Sequence, residues 1–502
     1  MRLLPFVVVL LLSVSTAAAR SFSIVTYNVE NLFDADGVAL YDDYQPARYT
    51  PAHLSTKLQN ISRVLARVNR GEGPDIIVFN EVELDQTPPA GGKPGDADAW
   101  LAAHADRRYD ELLAGQPLPP DIAGTSSAVW LLKALSDHGM TGYTLITSDE
   151  QPGVYPGESR GRAIQNVILS RFPVKAVRNH PTQNARTIVE AELSVDGHTL
   201  HVFANHWKSG AGNVETEGDR IANAKTLRAR VDRLLAADPN TDIVIAGDLN
   251  SHYNQRERYK AMRETGINTH LRAQGNELAI RGRDRDLYNL WFELPREQRR
   301  SDLFRGEWGT LMHLIVSRGL YDKRGVQYED NSFAVMTLAG LNVDGYGQPN
   351  RWSFDGPAGS GFSDHFPLYA RFNVVDDNRP DRWLALTKPS EEDDPVGDPL
   401  RVDYGMVDLT KAIRLADLPK DADLRDGTWS GKIFRVTGKA VDHRYVKVEF
   451  AGQVYDVFSH EKEIRDLLYE QRNEKGRLSF YGELGTYKGN WQFLVRAKNW
   501  VR

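Results

Sequence analysis

The chain contains no cysteine. That single absence removes a disulfide scaffold, a thiolate zinc site and a cysteine nucleophile together. After the first twenty residues no segment is long and apolar enough to span a bilayer, so no stable membrane association is expected. Neither charge dominates: 62 Lys and Arg against 68 Asp and Glu leave a formal net charge of -6, which excludes nonspecific coating of DNA by bulk positive charge. Any nucleic-acid contact must be local or helped by a metal. What remains is the composition of a soluble folded protein, 41% hydrophobic and 26% charged, in 502 residues. One core does not need that length, and two or more domains are expected.

Residues 1–19 read as a leader. Arg2 supplies a positive start, Leu3 to Val14 an apolar run, and Ala17-Ala18-Ala19 the small residues of an A-x-A cleavage site. The run is shorter than the roughly 20 residues of a spanning helix, so a cleaved signal peptide is expected and with it a secreted or periplasmic protein. Residues 375–400 carry Pro380, Pro389, Pro395 and Pro399 with eight acidic and three basic residues, without helix or strand periodicity. They read as a linker between a large domain, 21–374, and a small, mildly basic one, 401–502.

In the large domain short β-rich runs alternate with helical ones. Phe22–Tyr27, Asp75–Phe79, Val167–Leu169, Thr199–Ala204, Asp242–Ala246, Leu314–Ser317 and Phe366–Val374 are expected strands. Leu54, Leu58, Ile61, Leu65 and Val68 recur at helical spacing, as do Ile221, Ala224, Leu227, Val231 and Leu234. The alternation predicts an α/β domain on buried sheets. Gln86–Ala128 fits neither pattern and is expected to be an insertion or long loop.

Polar residues gather where these strands end: Asn28 and Glu30, Glu81, His206, Asp248 and Asn250, then Asp364-His365 just before the last strand. Strand ends on one sheet edge converge on a common crevice. Any one of these residues alone is equally a turn former or a helix cap, but their coincidence points to a site. Carboxylates and amides without thiolates suit Mg²⁺, or Mn²⁺ or Ca²⁺, all of which take oxygen ligands. Histidines beside carboxylates add proton transfer near neutral pH. The set suits attack of water on phosphorus. No HExxH zinc motif is present.

TYNVENLFD, DIIVFNEVE, VILSRFPV, FANHWKS, IVIAGDLNS and SDHFPL, in this order, resemble the endonuclease/exonuclease/phosphatase superfamily over roughly residues 21–374. The resemblance implies a four-layer α/β sandwich of two mixed β-sheets flanked by helices, and the activity of a phosphodiesterase, most simply a nuclease on DNA or RNA. It implies Glu81 as principal metal ligand with Asn28 close by, Glu30 as a second acidic metal-site residue, and Asp364 as a second-metal or orienting carboxylate. By the same resemblance Asp248 orients or deprotonates the attacking water, Asn250 holds the phosphate, His206 stabilises developing charge and His365 is a general acid/base. Relatives carry an aspartate that hydrogen-bonds the catalytic histidine where Met312 stands here. A thioether cannot take that bond, and Asp302 or Glu307 are candidates to reach in instead. Arg160, Arg162 and Lys208 are candidate phosphate contacts.

Residues 425–502 read as a meander, a helix over Glu461–Arg472 and a closing strand pair, a pattern that resembles a small OB-like barrel. Its basic residues interleave with Phe434, Tyr445, Tyr487, Trp491 and Phe493, which either stack bases or fill the barrel. The sequence therefore predicts a secreted metal-dependent nuclease. A sphingomyelinase-like phospholipase C, a phosphatase and a catalytically weak binding protein are its rivals. No feature calls for a protein partner.

Overall fold

The computed structural model describes residues 20–87, 96–115, 117–150, 161–282, 285–375, 396–419, 421–425, 428–441, 446–487 and 490–502. The expected leader, Arg160, Tyr445 and most of the expected linker lie outside them. In chain order the strands before the linker are β1 (Ser21–Leu32), β2 (Ile76–Glu83), β3 (Thr144–Thr147), β4 (Ile164–Ser170), β5 (Val174–His180), β6 (Ile188–Val195), β7 (His198–His206), β8 (Asp242–Asp248), β9 (Ala273–Gln274), β10 (Leu287–Asn289), β11 (Asp302–Phe304), β12 (Glu307–Gly309), β13 (Met312–Val316), β14 (Gly325–Tyr328), β15 (Ala334–Val335) and β16 (Leu368–Val375). One sheet runs β14-β16-β1-β2-β4-β3, with β15 also on β16, and the other β5-β6-β7-β8-β13-β10-β9. Both are mixed, with parallel pairs β1/β2 and β7/β8.

Period-two alternation explains the layers. Ile24, Ile76 and Val78 of the first sheet and Val244 and Ala246 of the second share one buried cluster. Their neighbours Val25, Ile77 and Phe79 pack instead with the helices Pro51–Leu65 and Ser127–Asp137, while Ile243 and Ile245 pack with the helix Val214–Ala237. Each central strand is thus apolar on both faces, and the order is helix, sheet, sheet, helix. The seven expected strands and both expected helices are present. The hairpin β5–β6 carries no apolar run long enough to announce it: Glu190 of β6 is buried because His180, His201 and Arg230 satisfy it. Gln86–Ala128 is not a plain loop. Short helices at Ala97–Ala103, Tyr109–Leu113 and Pro120–Ala123 seat Tyr109, Leu112, Leu113 and Ile122 in the core.

Beyond the linker lie β17 (Ile413–Arg414), β18 (Ile433–Lys439), β19 (Lys447–Phe450), β20 (Gln453–Phe458), a helix (Lys462–Lys475), β21 (Arg477–Tyr487) and β22 (Asn490–Leu494). They form one sheet in the order β17-β18-β21-β22-β20-β19. The expected closed barrel does not form among the described residues, because β18 and β19 meet only at the bridge between Ala440 and Val448. Phe434 and Phe493 fill its core, whereas Tyr487 is 61% exposed. The chain entering this part runs along the β11–β12 hairpin: Trp308 N–H donates to Leu400 O (2.8 Å) and Val402 N–H to Gly306 O (2.9 Å).

Candidate active site

Two bulges aim the site. Pairing of β1 with β2 slips between Asn28 and Leu32, and pairing of β2 with β4 between Phe79 and Val82. A bulge turns a side chain out of the strand's alternation. Glu30 (φ 49°), Glu81 (φ 65°) and Asn250 (φ 46°) sit in the left-handed region, a strain of order 1 kcal/mol or more apiece that functional sites commonly retain.

Around these turns the chain-distant residues meet. Asn28 Nδ2 donates to Glu81 Oε1 (2.9 Å) and Asp248 Oδ2 (3.1 Å). His206 Nε2 lies 3.8 Å from both carboxylates. His365 Nε2 lies 3.8 Å from Asp248 and 3.6 Å from Asp364. Asn250 N–H donates to Asp248 Oδ1 (2.8 Å), and Asn250 Nδ2 to Trp207 O (3.2 Å). Glu30 turns elsewhere: it takes the Trp352 N–H (2.8 Å) and pairs with Arg351 (3.2 Å), which also reaches Asp364 (3.6 Å). Beneath it the buried Lys57 ammonium donates to Val29 O and Glu30 O and lies over the Trp352 ring.

Environment sets the charges. Burial pushes the Asp248 carboxyl up to about 6, against the opposing pull of His365 and the Asn250 N–H. Burial alone would lower His365, but Asp364, Asp248, Asp302 and Glu81 carry it up to about 9. His206 is held well below its ordinary value by burial, Arg186 and His365. Burial raises Glu30 to about 7, with Asp364 adding and Arg351 and Lys57 opposing.

Seven of the eight expected catalytic and metal residues, Asn28, Glu81, His206, Asp248, Asn250, Asp364 and His365, converge in one cluster. Glu30 borders it through Arg351, not as a member of the Glu81 group. Arg162 is buried and committed to Glu150 and Thr182 O, so it is not a cation waiting for phosphate. Lys208 lines a cleft of about 1090 Å³ with Tyr41, Tyr44 and Arg186, and neither Lys208 nor Arg186 pairs with a carboxylate among the described residues. The residues missed are amides. Asn80 Oδ1 accepts the Asp248 N–H, and Asn80 Nδ2 donates to Asn166 Oδ1 and Asn205 O. Amides inside otherwise apolar strands were the available signal, since an unpaired one would be costly. Ser363 was missed too: its hydroxyl donates to Asn28 O and accepts the His365 N–H.

Glu81, His206 and Asp248 each bring one donor atom within 4.8 Å of the others. Two carboxylates converging beside an imidazole fit a hard divalent ion, with oxygen as the preferred donor. A second group, Asp34, Asp36 and Asp85, is similarly close-set.

Residues 165–373 match the model of the Endonuclease/Exonuclease/phosphatase family. No curated protein matches the chain. Among solved structures, TDP2 from C. elegans aligns at 14% identity over 70% of this chain and 75% of that one, with TM-score 0.36. An endonuclease/exonuclease/phosphatase family protein from Leptotrichia buccalis C-1013-b aligns at 15% over 70% and 98%, with TM-score 0.38. D. rerio TDP2 complexed with single strand DNA product aligns at 14% over 70% and 99%, with TM-score 0.36. Residues 165–373, the stretch similar to the Endonuclease/Exonuclease/phosphatase family, hold His206, Asp248, Asn250 and His365.

Proposed function

We infer that the protein is a divalent-metal-dependent phosphodiester hydrolase that acts on nucleic acid outside the cytoplasm. The convergence of Glu81, His206 and Asp248, with His365 alongside, carries the reading. Glu81 and Asp248 would hold the ion, which when bound neutralises charge on the phosphoryl oxygens. Asp248, anionic above about pH 6 and fixed by Asn28 and Asn250, orients water and draws its proton. His206, neutral, offers a hydrogen bond to a phosphoryl oxygen. His365, cationic at neutral pH, serves as proton donor.

Nucleic acid is favoured by the cleft lined by Arg186 and Lys208, cations to which flanking phosphates would bind, and by the exposed Tyr487 of the small sheet. The lipid alternative finds little support: Trp130 is buried and Trp100 packs edge-on against it, so neither ring is offered to a bilayer. The test is hydrolysis of single- and double-stranded DNA and RNA by residues 20–502 with Mg²⁺, Mn²⁺, Ca²⁺ or chelator, beside Asp248→Ala. Metal-dependent cleavage lost in the variant supports the reading. No cleavage of any nucleic acid refutes it and directs attention to phosphate esters and lipids. For the expected export, the measurement is the N-terminus of the mature protein recovered outside the cytoplasm; retention of residues 1–19 refutes it.

A further inference from the structure

Met312 sits on β13 opposite Asp248 in β8, fully buried, and offers His365 no strong acceptor. His365 is therefore short of the partner that fixes an imidazole during proton transfer. Its Nδ1 is buried and bonds to no group among the described residues. Across an isolated antiparallel bridge, however, the residue directly opposite His365 is Asp302. Directly opposed residues of such a bridge project to the same face, with Cβ atoms roughly 5 Å apart.

The Asp302 carboxylate is itself held. Its Oδ1 accepts the Leu311 N–H (3.0 Å) and the Ser301 hydroxyl (2.8 Å), while its Oδ2 accepts no hydrogen bond from the described residues. Gly309, its partner in the β11–β12 hairpin, has no side chain, and a Cβ there would collide with this carboxylate. The bridge is reinforced where Phe366 N–H donates to Ser301 O (2.6 Å). Glu307, the other candidate, is spent on Arg258 and Arg401.

We propose that Asp302 is the positioning carboxylate for His365: its Oδ2 accepts the His365 Nδ1–H once substrate closes the site, the service that Met312 cannot give. The residue acts through His365 and touches no substrate. Catalytic hydrogen bonds are often long in a ligand-free enzyme and tighten on binding. The inference rests on the hydrolase reading above.

The test uses the full chain with Mg²⁺ and both a single-stranded oligonucleotide and bis(p-nitrophenyl) phosphate. Asp302→Asn keeps Oδ1 for Leu311 but turns Oδ2 into a donor, which sets the wrong imidazole tautomer; an analogous change in serine proteases is severe. We expect kcat to fall about 100-fold with KM within about threefold. Gly309→Ala, which displaces the same carboxylate from the opposite side, should lower kcat in the same sense. Adding Met312→Asp to Asp302→Asn should restore at least tenfold of the loss, whereas a merely structural role of Asp302 would not be rescued from a different strand. An active wild type whose Asp302→Asn variant keeps kcat within twofold, or a double variant no better than the single, overturns the proposal. A wild type inactive on every phosphodiester overturns the hydrolase reading itself.

Discussion

Asp248 offers a perturbation in which function and stability should move in opposite directions. The carboxylate is 2% exposed, and burial raises its carboxyl from 3.8 to about 6. At roughly 1.4 kcal/mol per pH unit, keeping it ionised costs the metal-free fold about 3 kcal/mol. A carboxyl whose folded value exceeds its unfolded one binds its proton more tightly when folded. The cost is therefore absent below about pH 4, grows between 4 and 6 and is constant above. Asp248→Asn removes it. The amide can still accept the Asn250 N–H, but it sets a donor against Asn28 Nδ2, a loss of about 1 kcal/mol. The variant should thus be about 2 kcal/mol more stable than wild type at pH 8 with chelator, and no more stable near pH 4. Its hydrolytic activity should be down by 10³ or more. Urea unfolding at the two pH values measures the first, and turnover with Mg²⁺ the second. Added Mg²⁺ should stabilise wild type more than the variant, because an ion bound only by the folded state shifts unfolding by mass action. A variant less stable than wild type at pH 8 in chelator would refute the reasoning, since it would mean that Asp248 carries no burial cost.

Gly247→Ala should be destabilising by about 3 kcal/mol or more, because φ is 126° and a Cβ would collide with the Asn205 carbonyl; a melting temperature within a few degrees of wild type would contradict this. Arg186→Gln and Lys208→Gln should each raise KM for an oligonucleotide about tenfold, roughly 1.4 kcal/mol, while hydrolysis of bis(p-nitrophenyl) phosphate, which has no flanking phosphates, stays unchanged. Equal losses on both substrates would place these residues at the scissile phosphate instead. Glu293, driven up to about 8 by burial, accepts a hydrogen bond from the Tyr328 hydroxyl, so Glu293→Gln should stabilise by roughly 2–4 kcal/mol at pH 9 and by nothing at pH 4, read as the shift in urea midpoint.

The central strands were legible because they are short Val and Ile runs apolar on both faces, whose length and β-branched content mark strands rather than buried helices. The site was legible for the complementary reason: Glu81, His206 and Asp248 stop those runs with groups an apolar layer would reject. The rest depends on contacts that no local pattern records. Glu30 has the same chemistry as Glu81 in the sequence, yet Arg351 and the Trp352 N–H, more than 300 residues along the chain, draw it to the rim. Arg162 reads as a surface cation until Glu150, on the other side of residues 151–160, is seen beside it. β5 and β6 escaped notice because β5 is only partly buried and Glu190 interrupts the apolar pattern of β6, tolerated there because His180, His201 and Arg230 satisfy it. The small barrel was overestimated because five strands in the right order do not reveal whether the first and second zip together or meet at one bridge.

The division of labour between the two histidines follows from which charges each one faces. His206 is bordered by Arg186 and by His365, both cations, and is fully buried, so a proton on it would add a third positive charge where no water compensates. His365 suffers the same burial, but Asp364, Asp248, Asp302 and Glu81 surround it, and four carboxylates outweigh the desolvation that defeats His206. Two identical side chains, both within 3.8 Å of Asp248, are thereby separated into a neutral hydrogen-bond donor and a proton carrier. Pairs of titratable groups driven apart by their surroundings mark acid and base roles. Here the separation is built from residues of β2, β8, β11 and the turn before β16. Asp302 thus belongs to the electrostatics of His365.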